Sequence, residues 1–289
     1  MKSVGEREKY LKGIRGNQFR PRGLIWFCFN PRYRGSRVSG LPRWLQGIAV
    51  TVRNFRLFWK PSGIPMTYAS GGLATKAVMS FLEDENFIRA YERMITASGF
   101  PNDPGLHFRI HQALWAASIA MKIDGDFVEC GTGRGLTFTA VLESLSDWSE
   151  SGRHLWLFDT FSPFHLDPKT GKNDAERGQH DRYAVSEEST QVNFSEWKNV
   201  HLVAGLLPES LSALPNDTKI SFLHIDLNNA KSEALVVEKL WSRMSIGGVI
   251  LLDDYATNNA QNSAMNDCFK AYGAQVLTSG AGQGIVIKH

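Results

Sequence analysis

One stretch near the middle of the chain, Gly125–Thr137, restricts the possible folds more than any other. Its apolar residues Phe127 and Val128 are followed by an acid, Glu129, and then by glycines at three alternating positions. Apolar residues at helical spacing continue through residues 136–145. A buried strand, a Gly-rich turn and a helix in this order are typical of the first βα unit of a doubly wound nucleotide-binding sheet.

The turn itself indicates which ligand such a sheet would bind. Its glycines allow a close approach of the backbone to a ligand, and the next helix offers free N–H groups to an anion. They run G-x-G-x-G behind Glu129, whereas a dinucleotide site shows G-x-G-x-x-G. The spacing resembles motif I of the class I methyltransferases, which bind S-adenosylmethionine. A tight turn without any ligand is the alternative.

Apolar runs farther along the chain complete an α/β pattern. Near-continuous apolar strands that alternate with helices indicate a parallel sheet covered on both faces. Strands are predicted at residues 154–158, 200–205, 220–225, 249–252, 274–277 and 284–287, and helices from Lys76 onward and at residues 108–121, 136–145, 208–214, 232–244 and 260–272. Gly247 and Gly248 are predicted to form a turn, and the polar residues 162–197 a long loop that either closes over the acceptor or is disordered.

Acids follow several of these strands. Asp159 ends the second strand, where a carboxylate in nucleotide-binding sheets hydrogen-bonds the ribose diol, although it could also cap a loop. Asp226, Asp253 and Asp254 end two later strands and should converge at the ligand-binding edge. Three carboxylates repel one another unless a cation lies between them, and oxygen ligands favour Mg²⁺. Asp226 could accept the proton of a bound hydroxyl, and helix capping is the alternative role for these acids.

Charge separates the N-terminal part from the rest. The net charge is +3, yet residues 1–60 hold 14 Lys and Arg against two acids, that is +12, so the remainder carries −9. We expect a basic aromatic arm, residues 1–65, followed by a domain over residues 66–289. The arm could pack on the domain or contact an anionic membrane surface; nucleic acid is the least favoured partner.

The cysteines indicate the cellular compartment. Cys28, Cys130 and Cys268 are odd in number and widely separated, which predicts neither a disulfide framework nor a metal site. A reducing cytoplasm is therefore expected, with the basic arm leaving a peripheral position at the inner face of the membrane open. No apolar run approaches the length of a membrane span.

Several stretches resemble the macrocin O-methyltransferase family of sugar O-methyltransferases, over about residues 78–289. They are Gly125–Gly131, Leu157–Phe161, His224–Asp226, Gly247-Gly248 with Asp253–Tyr255, Gly282–Lys288, and Phe81–Asp84 with Phe87, Tyr91 and Arg109. The resemblance implies a Rossmann-like class I methyltransferase with a mostly parallel seven-stranded sheet. It also implies S-adenosylmethionine- and Mg²⁺-dependent methylation of a sugar hydroxyl, with Asp226, Asp253 and Asp254 as metal ligands.

The full set of predicted site residues follows from these readings. Asp226 is the predicted base as well as a metal ligand, and Arg134 is predicted to meet the methionyl carboxylate. The predicted cofactor-binding residues are Glu129, Gly131, Thr132, Gly133, Arg134, Gly135, Asp159, Thr160 and Gly205. The expected partner is a small, sugar-containing acceptor, and a homo-oligomer is left open. A nicotinamide-dependent dehydrogenase and a non-catalytic, membrane-associated binding protein are the competing functions.

Overall fold

A computed structural model describes residues 68–75, 77–100, 102–161 and 185–289. Two compact units divide the chain after Met79. In the first, the described residues form an antiparallel hairpin of β1 (Tyr68–Ser70) and β2 (Leu73–Thr75). The predicted arm, residues 1–65, lies outside the described residues, so its separation from residues 66–289 stays a prediction.

The second unit contains one seven-stranded sheet. Its strands are β3 (Asp126–Cys130), β4 (Leu155–Asp159), β5 (Val200–Ala204), β6 (Ile220–Ile225), β7 (Met244–Leu252), β8 (Leu277–Thr278) and β9 (Gly284–Ile287). Their order in space is β5-β4-β3-β6-β7-β9-β8. The first five in that order are parallel to one another. At the other edge β9 is antiparallel to β7, and β8 is antiparallel to β9. The predicted fold class is confirmed.

Helices cover the two faces of this sheet. They are α1 (Glu85–Ser98), α2 (His107–Ala120), α3 (Leu136–Ser144), α4 (Glu187–Asn193), α5 (Ala230–Leu240) and α6 (Asn259–Ala271). Side chains of Asp84, Asn229 and Asn258 accept hydrogen bonds from backbone N–H groups in the first turns of α1, α5 and α6. None of the helices in the described part of the chain has the length and apolar character to cross a bilayer.

The core consists of one apolar layer on each side of the sheet. Successive residues of a strand point to opposite faces, so Phe127 packs with Phe138 and Phe222 in one layer. Val128 packs in the other layer with Ile225. Because both faces are buried, the central strands carry apolar residues at nearly every position, which is the pattern that the sequence shows.

The order of the strands fixes where a ligand can bind. The chain runs from β3 outward to β4 and β5, and then returns to place β6 on the other side of β3. The crevice between the carboxyl ends of β3 and β6 is therefore a topological switch point, where ligands of open α/β sheets bind.

Three local predictions were wrong. Residues 187–193 form α4 within the stretch predicted as an unpatterned loop, because Ser186 caps the helix by accepting from the Ser189 N–H. Gly247 and Gly248 lie inside β7, at a register irregularity between the pairs Ile220–Met244 and Phe222–Val249, and so do not precede the strand. The strand predicted at residues 274–277 is the shorter β8, Leu277–Thr278. The helix predicted at residues 232–244 is confirmed, as α5 followed directly by the 3₁₀ turn Trp241–Arg243.

Candidate active site

The Gly-rich turn and the acid-bearing end of β6 touch each other. Gly131 has a φ of 93°, and a Cβ on it would lie 2.0 Å from the carbonyl oxygen of Asp226. The Asp226 N–H donates to the Cys130 carbonyl at 2.8 Å. Only glycine fits at residue 131, because any side chain would push the ends of β3 and β6 apart.

Asp159 holds the turn from the neighbouring strand. One carboxylate oxygen accepts from the Gly133 N–H at 2.8 Å, and the other accepts from the Phe161 N–H at 3.0 Å and from the Thr160 hydroxyl at 3.3 Å. The Gly205 N–H in turn donates to the Asp159 carbonyl at 2.9 Å. Asp159 therefore caps two loops, and a carboxylate oxygen that accepts one hydrogen bond retains capacity for another from a ligand.

Three other residues of the turn make packing contacts. A Cβ on Gly135 would lie 2.2 Å from the Phe194 ring, so glycine is required there by the core. Thr132 is buried, and its N–H donates to the Phe158 carbonyl at 3.3 Å. The Arg134 guanidinium lies beside Gly99 at the C-terminal end of α1, where exposed helix carbonyls favour a cation. The predicted contact of Arg134 with a methionyl carboxylate stays a prediction.

Glu129 is buried at the end of β3 and pairs with a histidine on the adjacent strand. Its Oε1 lies 2.9 Å from Nδ1 of His224, and both side chains are at most 2% exposed. Burial raises the pKa of Glu129, although His224 opposes this. Glu129 Oε2 is buried without a hydrogen-bond partner among the described residues, and so an acceptor is left over beside the turn.

The three acids predicted to converge do so. One oxygen each from Asp226, Asp253 and Asp254 lies within 4.8 Å of the others, and no other such cluster of three or more occurs in the described ranges. The pKa of Asp226 is well above its usual value, because of burial and, to a smaller extent, because the carboxylates of Asp253 and Asp254 lie close to it. Helix capping does not account for the cluster, since Asn258 caps the helix that follows Asp253 and Asp254.

Arg109 lies against two of these acids. Its Nη1 donates to Asp253 Oδ2, and its Nη2 donates to Asp254 Oδ1 at 3.0 Å. Burial lowers the pKa of Arg109, but Asp253 and Asp254 outweigh burial and raise it overall. Three carboxylates and one guanidinium leave a net charge of −2 when all are ionised, which matches a divalent cation.

Two further residues hold the acids in place. Gln283 donates from Nε2 to Asp253 Oδ1 at 2.9 Å, and the Thr257 hydroxyl donates to Asp254 Oδ1 at 2.9 Å. Sequence reasoning gave no role to Arg109, His224, Thr257 or Gln283. Only their position in the stretches that resemble the family could have indicated Arg109, His224 and Gln283.

The residues present fit a hard divalent cation. The donors are carboxylate oxygens on three neighbouring residues, and each carboxylate has a supporting contact, as metal ligands commonly do. For Asp226 the support is the Asn228 amide, which donates to its Oδ1 at 3.2 Å. A cation between the three carboxylates would offset the repulsion that contributes to the raised pKa of Asp226.

Comparison with known proteins identifies the family to which this chain belongs. The sequence profile of the family described as macrocin-O-methyltransferase (TylF) matches residues 109–276, more than half of the chain. The chain belongs to this family. The match begins at Arg109 and includes all three acids of the cluster. The resemblance found in the sequence is thereby confirmed.

Individual relatives of the macrocin-O-methyltransferase family support the assignment. The chain is 26% identical over 183 residues to the 8-demethyl-8-(2,3-dimethoxy-alpha-L-rhamnosyl)-tetracenomycin-C 4'-O-methyltransferase of Streptomyces olivaceus, covering 59% of this chain and 68% of that protein. It is 28% identical over 148 residues to the demethyldecarbamoylnovobiocin O-methyltransferase of Streptomyces niveus, covering 47% of this chain and 55% of that one.

A solved structure shows the same fold. The O-methyltransferase NovP superposes with a TM-score of 0.54 at 20% identity, covering 62% of this chain and 79% of NovP. With the family match, this confirms the predicted class of enzyme, an S-adenosylmethionine-dependent O-methyltransferase. The dehydrogenase and the non-catalytic binding protein are thereby set aside as readings of this macrocin-O-methyltransferase family member.

Proposed function

We propose that this enzyme transfers the methyl group of S-adenosylmethionine to a sugar hydroxyl of a glycosylated small molecule, and that it requires Mg²⁺. The observation that carries the proposal is the convergence of Asp226, Asp253 and Asp254 within 4.8 Å, beside the Gly-rich turn. The name of the S. olivaceus relative specifies O-methylation at the 4' position of a rhamnosyl compound, which supports a sugar as the acceptor.

The methyl donor would lie over the Gly-rich turn and the end of β4. Glu129 is suited to accept from the methionyl ammonium because its Oε2 is otherwise without a partner. Asp159 would accept from the ribose hydroxyls while it holds the Gly133 N–H. The remaining candidate donor-binding residues are Gly131, Thr132, Arg134, Gly135, Thr160 and Gly205.

The acceptor would lie at the acid cluster. Asp226, Asp253 and Asp254 would hold Mg²⁺, which when bound lowers the pKa of a coordinated hydroxyl. Asp226 is the candidate base, because its carboxylate is one of the three acids that converge where the hydroxyl would be held. The hydroxyl oxygen forms a bond to the methyl carbon as the carbon–sulfur bond breaks, its proton passes to Asp226, and S-adenosylhomocysteine leaves.

Transfer of a radiolabelled methyl group tests this proposal. The donor is labelled S-adenosylmethionine, and the acceptors are rhamnosyl derivatives of tetracenomycin C together with their aglycones. We expect label on the glycosides alone, and its loss when EDTA removes divalent cations and its return with Mg²⁺. Turnover that persists in EDTA would overturn the metal requirement, and label on the aglycones alone would overturn the sugar acceptor.

We also propose that residues 1–65 form a basic arm that contacts an anionic membrane surface. The charge of +12 over residues 1–60 supports this, because each basic residue near such a surface contributes about 1 kcal/mol. Sedimentation with vesicles of phosphatidylserine and phosphatidylcholine tests it in the full-length chain. Binding should weaken when Arg32, Arg34 and Arg37 are replaced by Gln, and equal sedimentation of both proteins would contradict the proposal.

A further inference from the structure

His224 lies between the two halves of the candidate site. It belongs to β6, the strand that separates β3, with Glu129, from β7, which precedes Asp253. Its Nδ1 is 2.9 Å from Glu129 Oε1, and its Nε2 is 4.0 Å from Asp253 Oδ1. One imidazole ring therefore contacts the acid of the Gly-rich turn on one side and faces an acid of the cluster on the other.

Buried polar atoms without partners surround this ring. His224 Nε2, Glu129 Oε2 and Gln283 Oε1 are all buried and lack a hydrogen-bond partner among the described residues. A buried polar atom left unpaired destabilises the folded state, so folded proteins seldom retain one without a function or a bound water.

The tautomer follows from the contact with Glu129. When Nδ1 donates to the Glu129 carboxylate, the neutral ring presents Nε2 as an acceptor. An acceptor cannot bond directly to the Asp253 carboxylate, but a separation of 4.0 Å allows one water molecule to donate to both. Gln283, which donates to the same Asp253 oxygen, offers its unpaired Oε1 as a further acceptor nearby.

We propose that His224 is a positioning residue that links the methyl-donor side of the site to the acid cluster. Its Nδ1 fixes Glu129 for the methionyl ammonium, and its Nε2 fixes Asp253 through a bridging water. This inference rests on the proposed function, since it assumes that Glu129 faces the donor and that Asp253 holds the cation. It adds that each ligand, once bound, helps to hold the residues that bind the other.

Two substitutions separate the two contacts of the ring. Asparagine ends at the position of Nδ1, and glutamine reaches the position of Nε2. His224→Asn should keep the affinity for S-adenosylhomocysteine within about threefold and weaken Mg²⁺ binding about 10-fold or more, as loss of an outer-shell partner does. His224→Gln should show the reverse pattern. Titration calorimetry with each ligand alone measures both constants and does not depend on activity.

A control variant on the same strand shows whether general destabilisation of β6 is enough to change the two affinities. Ser221 lies on the same strand β6, is buried, and donates to the Gly125 carbonyl at 3.0 Å, far from the acids. Ser221→Ala should lower the unfolding temperature without changing either affinity. If both His224 variants change both affinities by the same factor, or change neither, His224 is only structural and the inference is overturned.

The wild-type protein distinguishes this failure from a failure of the proposed function. If it binds no Mg²⁺ or no S-adenosylhomocysteine, the proposed function is wrong whatever His224 does. If neither His224 variant folds, the wild-type chain still supplies the test, because Mg²⁺ should raise the affinity for S-adenosylhomocysteine about fivefold or more. Independent binding of the two ligands would then overturn the link.

Discussion

The two ends of the parallel sheet both carry polar clusters, yet they differ in how completely those clusters are paired. At the amino ends of the strands, Arg153 donates to the Gly125 and Met121 carbonyls and to the Ser221 hydroxyl. Asp126 accepts there from the His154 N–H at 3.0 Å and the Trp156 indole at 3.2 Å. At the carboxyl ends, Glu129 Oε2 and His224 Nε2 are buried without a hydrogen-bond partner in the part of the chain that the structure describes.

The difference supports the proposed ligand site at the carboxyl end of the sheet. The amino end contains an open cavity of about 730 Å³, lined by residues that include Arg153, His154 and Lys219. None of the buried side-chain atoms that line it lacks a hydrogen-bond partner within the described residues. At the carboxyl end, Glu129 Oε2 and His224 Nε2 have no hydrogen-bond partner among the described residues. Together with the acid cluster at the same end, these atoms support a ligand there more than the open volume supports one at the amino end.

The largest expected effect comes from breaking the acid cluster. Asp253→Ala should lower the rate of methyl transfer about 10³-fold or more, because loss of a cation that supplies several kcal/mol has that consequence. The affinity for S-adenosylmethionine, measured without Mg²⁺, should match that of the wild-type protein. Single-turnover kinetics and calorimetry measure the two quantities. Asp124→Ala, at the exposed amino end of the sheet, is the matched control, and an equal loss in both variants would remove Asp253 from the reaction.

The next largest expected effect is a loss of stability at the amino end of the sheet, where we expect the polar cluster to be purely structural. Arg153→Met removes hydrogen bonds to two backbone carbonyls and a hydroxyl, so we expect unfolding to become easier by about 2–3 kcal/mol. Urea denaturation measures this change. Metal and donor affinity of the folded fraction should match those of the wild-type protein, and a selective loss of either would show that the amino end influences the site.

Asp159 and Asp126 form a matched pair across the sheet, since each caps an adjacent loop or strand with both carboxylate oxygens. Asp159→Ala should weaken S-adenosylmethionine binding by about 1–3 kcal/mol, through loss of a ribose partner. Asp126→Ala should lower stability without affecting binding. Calorimetry on both variants decides the matter: unchanged affinity in Asp159→Ala would leave it with a capping role alone.

Sequence reasoning succeeded where local pattern and topology agree. The acids after β6 and β7 converge because the carboxyl ends of parallel strands meet at one edge, so Asp226, Asp253 and Asp254 could be placed without coordinates. Their partners could not. Arg109 is 144 residues before Asp253, and no periodicity connects the two.

The local errors have physical causes as well. Gly247 and Gly248 form a signal typical of a turn, but the Gly247 N–H donates to the Lys288 carbonyl and the Lys288 N–H to the Gly248 carbonyl, which keeps both in β7. The short helix α4 has no amphipathic period long enough to detect. It forms within its tertiary setting, where the Thr190 hydroxyl donates to the Gly133 carbonyl at 2.8 Å.

The smallest expected effect is a pH dependence at the amino end. His154 Nδ1 and His201 Nε2 are 2.8 Å apart, so one proton lies between them and a second is disfavoured. Burial lowers the pKa of His201, and the charge of His154 lowers it further by a smaller amount. The charge of Asp126 acts in the opposite direction.

The sign of this pH effect follows from the lowered pKa. The folded protein favours neutral His201, so the unfolded state binds more protons below about pH 6.5. The contribution of His201 to stability is therefore complete above that pH and is lost as the pH falls toward the lowered folded pKa.

Melting temperatures at pH 7.5 and 5.5 should differ less in His201→Gln than in the wild-type protein. His111→Gln controls for burial, since burial also lowers the pKa of His111, which stacks on Phe81 away from this pair. If the melting temperature of His201→Gln falls as far between these pH values as that of the wild type, the histidine pair has no part in the acid sensitivity of the fold.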